Sequence, residues 1–134
     1  MGIEITGWGK CTPPSILTNH DLETILDTDD EWITTRTGVK ERRIAHTSLS
    51  DMGTVAAHHA LASAGKDPKD IDAVIMATCT PEYIIPTTAS KIQLNIGNKH
   101  AAAFEINSAC TGFVYALTTA YSLISSGVMK NILL

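Results

Sequence analysis

Covalent chemistry in this chain falls first to Cys110, which stands in Ser108-Ala109-Cys110-Thr111-Gly112-Phe113. Before it, residues 101–106 are apolar except for Glu105 and read as a buried strand. After it, Phe113, Ala116, Leu117, Ala120, Leu123 and Ile124 recur at helical spacing. A cysteine at such a junction meets the first unbonded N–H groups of the helix and the positive end of its dipole. That setting favours thiolate over thiol and lowers the pKa, which makes Cys110 a candidate nucleophile. The competing reading is a small buried apolar cysteine. Lys40, Arg42 and Arg43 form a basic cluster in an acidic chain. It reads either as a solvated face or as an attractor of phosphates or of an acidic carrier protein.

Elements that would hold these residues alternate along the chain. Residues 3–8 read as a first strand, loosened by Gly7 and Gly9, and Pro13-Pro14 as a turn. Thr18 or Asn19 caps a short helix to about Leu26, and a second helix starting at Asp29-Asp30 carries Trp32, Ile33 and Arg36 until Thr37-Gly38 breaks it. Ser50 or Asp51 caps a helix closed by Gly65, and a polar turn surrounds Pro68. Residues 71–79 form an apolar run typical of a strand buried on both faces. A loop through Pro81 and Pro86 precedes a helix at about 87–95, closed near Gly97, and Gly127 ends the helix that follows Cys110. The alternation predicts an α/β layer fold with a largely parallel central sheet. Residues 131–134 begin another apolar strand without a terminator, so we expect a chain cut inside its last strand, its 1–134 forming one portion of a longer protein.

Composition bounds the function. With 134 residues, 44% hydrophobic and 18% charged, the chain has the material for one ordinary globular domain. A formal net charge of −4 argues against a general nucleic-acid binder. The three cysteines, Cys11, Cys79 and Cys110, form no zinc pattern, and their odd number with no signal peptide suits a reducing cytoplasm. No stretch approaches the ~18 apolar residues of a membrane span. Cys79 reads as strand packing, and no metal is expected.

A family resemblance then enters on particular residues. Asp27-Thr28-Asp29-Asp30-Glu31-Trp32-Ile33-Thr34-Thr35-Arg36-Thr37-Gly38, followed by Lys40-Glu41-Arg42-Arg43-Ile44, resembles the signature near the N-terminus of β-ketoacyl-ACP synthase III. Asn107 to Phe113 is similar to that family's nucleophile motif, and Met76-Ala77-Thr78 through Ile85-Pro86-Thr87 to Gln93 resembles the intervening segment. The likeness runs through all 134 residues in order. It implies a thiolase-like α/β fold, of which this chain would be most of the N-terminal half. That half is a mixed sheet between helices and part of a five-layer αβαβα architecture, and the C-terminal half would be absent.

The resemblance also implies a function: initiation of type II fatty-acid synthesis. An acyl group would pass from acyl-CoA to Cys110, and decarboxylative condensation with malonyl-ACP would give β-ketoacyl-ACP. It places coenzyme A against Thr28, Trp32 and Arg36, with Trp32 stacking on adenine and Arg36 holding the nucleotide. On residue types alone Trp32 reads as a core aromatic and Arg36 as an ion-pair partner of Asp29 or Glu31. Ile85 matches a position that walls the partner's acyl pocket in the family homodimer. Many relatives have phenylalanine there, so the aliphatic side chain implies tolerance of branched or longer primers. The family's catalytic histidine and asparagine would lie in the other half; His20, His46, His58, His59 and His100 match no such motif. No cofactor is implied, acyl-CoA being a substrate. Two other functions fit less closely: a neighbouring thiolase-fold acyltransferase of HMG-CoA-synthase or secondary-metabolite type, and a non-catalytic fragment that binds coenzyme A.

Overall fold

Side-chain caps set most element boundaries in the computed structural model, which describes residues 2–134. The order is β1 (Ser15–Thr18), α1 (Asn19–Glu23), α2 (Asp30–Thr37), β2 (Glu41–Ile44), α3 (Leu49–Ala64) and a 3-10 turn (Pro68–Asp70). Then come β3 (Ala73–Ala77), α4 (Thr88–Asn95), β4 (Ala102–Ile106), a second 3-10 turn (Ala109–Thr111), α5 (Gly112–Ser125) and β5 (Ile132–Leu133). Thr18, Asp29, Ser48 and Thr87 each accept a backbone N–H of the helix they precede. Gly38 and Gly65 end α2 and α3 in the left-handed region, at φ 71° and 62°. The cap of α3 therefore falls at Ser48 rather than at Ser50 or Asp51. Ser50 is a residue of that helix, and the Glu82 carboxylate takes its N–H.

Two compact units result, one of residues 2–11 with Ser48–Leu134 and one of Thr12–Thr47. In the first, β4, β3 and β5 pair in that order, all parallel, with Val74 opposite Ala103 and Leu133. Strand alternation sends Val74, Met76, Ala103 and Leu133 to one face, against Ala57 and Leu61 of α3 and Ala89 and Ile92 of α4. Ile75, Ala77, Phe104, Ile106 and Ile132 go to the other, against Ala116 and Ala120 of α5. Helices on both faces explain why β3 is apolar at every position, with Ala73, Val74 and Ile75 at 3% exposure or less. Asn98, buried, ties the turn before β3 to the turn before β4. Its amide donates to the carbonyls of Pro68 and Ile71, each at 2.8 Å, and its oxygen accepts from His100 and Ala101.

The expected first strand does not form: residues 3–8 pair with no strand among the described residues. The glycines that would loosen a strand instead let the segment lie on α3. A Cβ at Gly7 would stand 2.5 Å from the Ala60 carbonyl oxygen, and one at Gly9 2.0 Å from that of Ala56. Ile5 and Trp8 remain exposed.

The second unit is built around one amide. Asn19, 1% exposed, donates to Asp30 at 2.7 Å and to the Val39 carbonyl at 2.8 Å, and its oxygen accepts from the Arg42 guanidinium. These bonds join α1, α2 and the antiparallel ribbon of β1 with β2, which pairs Ser15 to Ile44 through Thr18 to Glu41. The sequence patterning gave no sign of that ribbon, because Glu41-Arg42-Arg43-Ile44 lacks alternation of apolar residues.

Candidate functional site

Cys110 lies in the 3-10 turn that links β4 to α5, and it is exposed. The competing reading of a buried apolar cysteine is therefore set aside. Ala109 adopts φ +45°, a left-handed conformation that a residue with a Cβ rarely takes. Thr111 braces the turn, donating its N–H at 3.1 Å and its hydroxyl at 2.8 Å to the Ser108 carbonyl. Gly112 is buried, and a Cβ there would be 3.7 Å from Ala77 of β3. No side chain caps α5. The turn thus holds the thiol outward at the start of a 14-residue helix anchored on the sheet. Cys79, also exposed, and the loop bearing Ile85 follow β3. Since β3 and β4 are parallel and adjacent, this one loop leaves the same C-terminal sheet edge as the Cys110 turn. Open α/β sheets characteristically bind ligands at that edge.

Ile85 is 85% exposed beside Tyr83 and Ile84, and the Ile85–Pro86 peptide is cis. Glu82 roots this loop: its carboxylate accepts the Ser50 N–H and pairs with Lys91 of α4. That ammonium, and then the Ser50 N–H, hold the Glu82 carboxyl well below its ordinary value, at about 2. Glu105, the one polar residue in the apolar run of β4, caps α4 from the neighbouring strand by accepting the N–H groups of Thr88 at 2.6 Å and Ala89 at 3.3 Å. The interruption in the run was the signal for such a role, though not for its partner.

Thr28, Trp32 and Arg36 all belong to the second unit. Trp32 is 52% exposed, and the Arg36 guanidinium lies 4.6 Å from its ring centroid. The alternatives of a core tryptophan and of an Arg36 ion pair with Asp29 or Glu31 are both displaced by this stack. Asp29 instead caps α2, accepting the Trp32 N–H at 2.6 Å. Thr28 Oγ1 is buried and has no hydrogen-bond partner among the described residues. In the basic cluster, Arg42 is committed to Asn19, and Arg43 bonds Glu41 and the Pro13 carbonyl. Lys40 stays exposed. His58 and His59 are exposed, with His59 3.0 Å from the Lys10 carbonyl oxygen. Among the described residues no group of three or more His, Cys, Asp or Glu could hold a metal ion, and no helix is long and apolar enough to cross a membrane.

A parallel sheet covered by helices on both faces, with an exposed cysteine at a strand-to-helix turn, makes this an α/β layer protein of the kind the thiolase-like resemblance implies. Comparison with known proteins narrows it. The profile of the family described as 3-oxoacyl-[acyl-carrier-protein (ACP)] synthase III matches residues 104–134. The β-ketoacyl-[acyl-carrier-protein] synthase III 2 of Vibrio cholerae is 55% identical over 97% of this chain and 36% of its own length. The β-ketoacyl-[acyl-carrier-protein] synthase III of Roseiflexus castenholzii is 51% identical over 96% of the chain and 40% of its own. The crystal structure of 3-oxoacyl-[acyl-carrier-protein] synthase III from Aquifex aeolicus superposes with a TM-score of 0.95 at 49% identity, covering 98% of this chain and 43% of that one. The chain is thus similar over nearly its whole length to β-ketoacyl-ACP synthases III and spans about two fifths of the length of these relatives.

Proposed function

We propose that this chain carries the acyl-accepting centre of an initiating condensing enzyme, with Cys110 as the nucleophile. The observation that carries the reading is an exposed thiol held by a left-handed turn at the C-terminal edge of a parallel sheet, on a helix that no side chain caps. Cys110 Sγ attacks the carbonyl of an acyl-CoA, coenzyme A leaves as the thiol with the proton that Cys110 gave up, and the acyl group stays as a thioester. The Cys110 N–H, at the same turn, donates to the oxyanion that forms on the way. Malonyl-ACP then loses carbon dioxide, its carbanion attacks the thioester carbonyl, and Cys110 departs to leave β-ketoacyl-ACP.

Coenzyme A is held on the second unit. The exposed Trp32 face, already backed by Arg36, offers an adenine platform, and the guanidinium serves phosphate. Thr28 belongs to the same site; its unpartnered hydroxyl is shut off from solvent, so it meets a polar group of the ligand only once its side chain turns outward. Ile85, displayed to solvent, shapes the acyl pocket of a second copy in a homodimer. Three free cysteines suit a reducing cytoplasm.

The test is release of free coenzyme A, followed by chromatography after mixing the protein with acetyl-CoA. The reading expects a burst of about one equivalent per chain, the amount one nucleophile can discharge, and none from Cys110→Ala. A burst that survives the substitution contradicts it.

A further inference from the structure

The loop between β3 and α4 shows Tyr83, Ile84 and Ile85 to solvent at 60%, 87% and 85% exposure. Side chains so exposed gain little from packing, so the loop's place must come from the polar contacts at its root. Those contacts converge on Glu82. One carboxylate oxygen accepts the Ser50 N–H in the first turn of α3, and the other pairs with Lys91 of α4. The Glu82 N–H donates to Thr88 Oγ1 at 3.3 Å, and the Lys91 ammonium lies 5.3 Å from the Tyr83 ring centroid. The Glu82 side chain is 15% exposed against 36% for Lys91, so the acid is the sheltered member of the pair. A charge-assisted contact that joins two helices is stiffer than the loop it holds.

We infer that Glu82 is a positioning residue: paired with Lys91, it fixes where Ile85 stands and so sets which acyl groups the enzyme accepts. This rests on the reading of Ile85 as a wall of the acyl pocket. Glu82 touches no reacting atom and acts through the loop. A longer lever follows from the same geometry, because Ile85 is three residues from the clamp and the two intervening side chains are also exposed.

Two substitutions separate the contacts. Glu82→Gln keeps an acceptor for the Ser50 N–H and removes the charge facing Lys91, whereas Lys91→Met removes the ammonium and leaves Glu82 on α3. Glu82→Asp is the conservative variant, and Ile85→Phe is the control for the pocket itself. Two quantities are read: the rate of chymotryptic cleavage after Tyr83, and the ratio of acetyl to isobutyryl groups taken by Cys110 from an equimolar mixture of the two CoA esters. Glu82→Gln and Lys91→Met should each speed cleavage by roughly threefold or more, as a local opening becomes easier, and shift the acyl ratio. Glu82→Asp should restore part of both. Unchanged cleavage overturns the inference, whether or not the ratio moves. Faster cleavage with an unchanged ratio also overturns it, and Ile85→Phe then shows what remains. If that variant shifts the ratio, the pocket reading stands and only the role of Glu82 falls. If it does not, or if the parent protein takes up neither acyl group, the underlying reading has failed and the inference with it.

Discussion

At the residue scale the site is made of side chains that contradict their usual habits. A tryptophan half in solvent with a guanidinium on one face is poorly used as core and well prepared as a stacking surface. Trp32→Ala should weaken coenzyme A binding by roughly 5- to 30-fold, the equivalent of losing a ring stack with its cation, and titration calorimetry would measure it. Arg36→Lys should recover only part of what Arg36→Ala loses, because an ammonium lacks the planar fork. Equal affinities for all variants would remove this pair from the ligand site. The place of Cys110 between a strand and a helix was legible in the sequence, because apolar run, small residues and amphipathic segment frame it within a few positions. The stack of Trp32 on Arg36 was not singled out, although the two stand four apart on one helix face, because residue types alone suggested a core tryptophan and an ion-paired arginine. Arg42 shows the same limit from the other side. Its charge suggested a solvated face or an attractor of phosphates or of an acidic carrier, and its partner is the buried Asn19 amide, 23 residues away.

At the element scale, boundaries are set by local caps, and most were readable: Asp29, Thr87, Gly38 and Gly65 act as their residue types predict, whereas the cap of α3 falls at Ser48 instead of Ser50 or Asp51. What was not readable is capping at a distance. Glu105 caps α4 from β4, and Asp72 accepts the N–H groups of Lys130 and Asn131 where the chain enters β5. Both are contacts between segments far apart in sequence, so no window of neighbouring residues contains both partners. The lost first strand has the same origin, because Gly7 and Gly9 answer to α3, about 50 residues on. Asn98→Ala should cost about 2–4 kcal/mol, since it takes the side-chain partner from the Ile71 carbonyl and from the His100 and Ala101 N–H groups, while the Pro68 carbonyl keeps the Ile71 N–H, and urea unfolding would measure it. Acid should act through the carboxylates. The Asn131 and Lys130 N–H groups lower the pKa of Asp72 from its ordinary 3.8, and Lys91 with Ser50 lowers that of Glu82 from 4.5 to about 2. Groups whose folded pKa is depressed stabilise fully above their unfolded values and cease to do so as pH falls through the folded ones. Thermal stability is therefore expected to hold down to about pH 5 and to decline below it. A decline that begins near neutrality would show that other groups govern.

At the scale of the whole molecule, the chain presents much apolar surface. Phe113, Val114 and Tyr121 of α5 are each about half exposed or more, at 57%, 59% and 49%. A groove of about 490 Å³ in the first unit is lined by Trp8, Met76, Phe113 and Leu134 among others. Patches of this kind mark surfaces meant for covering. Within the parallel sheet the order of strands and helices, and with it the α/β class, could be read from apolar periodicity, because its strands are covered by helices on both faces; the β1–β2 ribbon and the absence of a strand at 3–8 could not. The division into two units could not, since no linker or change of composition separates Thr12–Thr47 from the rest. What unites these levels is one exposed thiol at the edge of the sheet, and one measurement tests it most directly. The protein is mixed with a slight excess of acetyl-CoA, digested, and the peptides bearing Cys11, Cys79 and Cys110 are weighed. The account predicts a gain of about 42 Da, one acetyl group in thioester linkage, on the Cys110 peptide and on neither of the others. Acetyl groups on Cys79 in preference to Cys110, or on no cysteine at all, would contradict it.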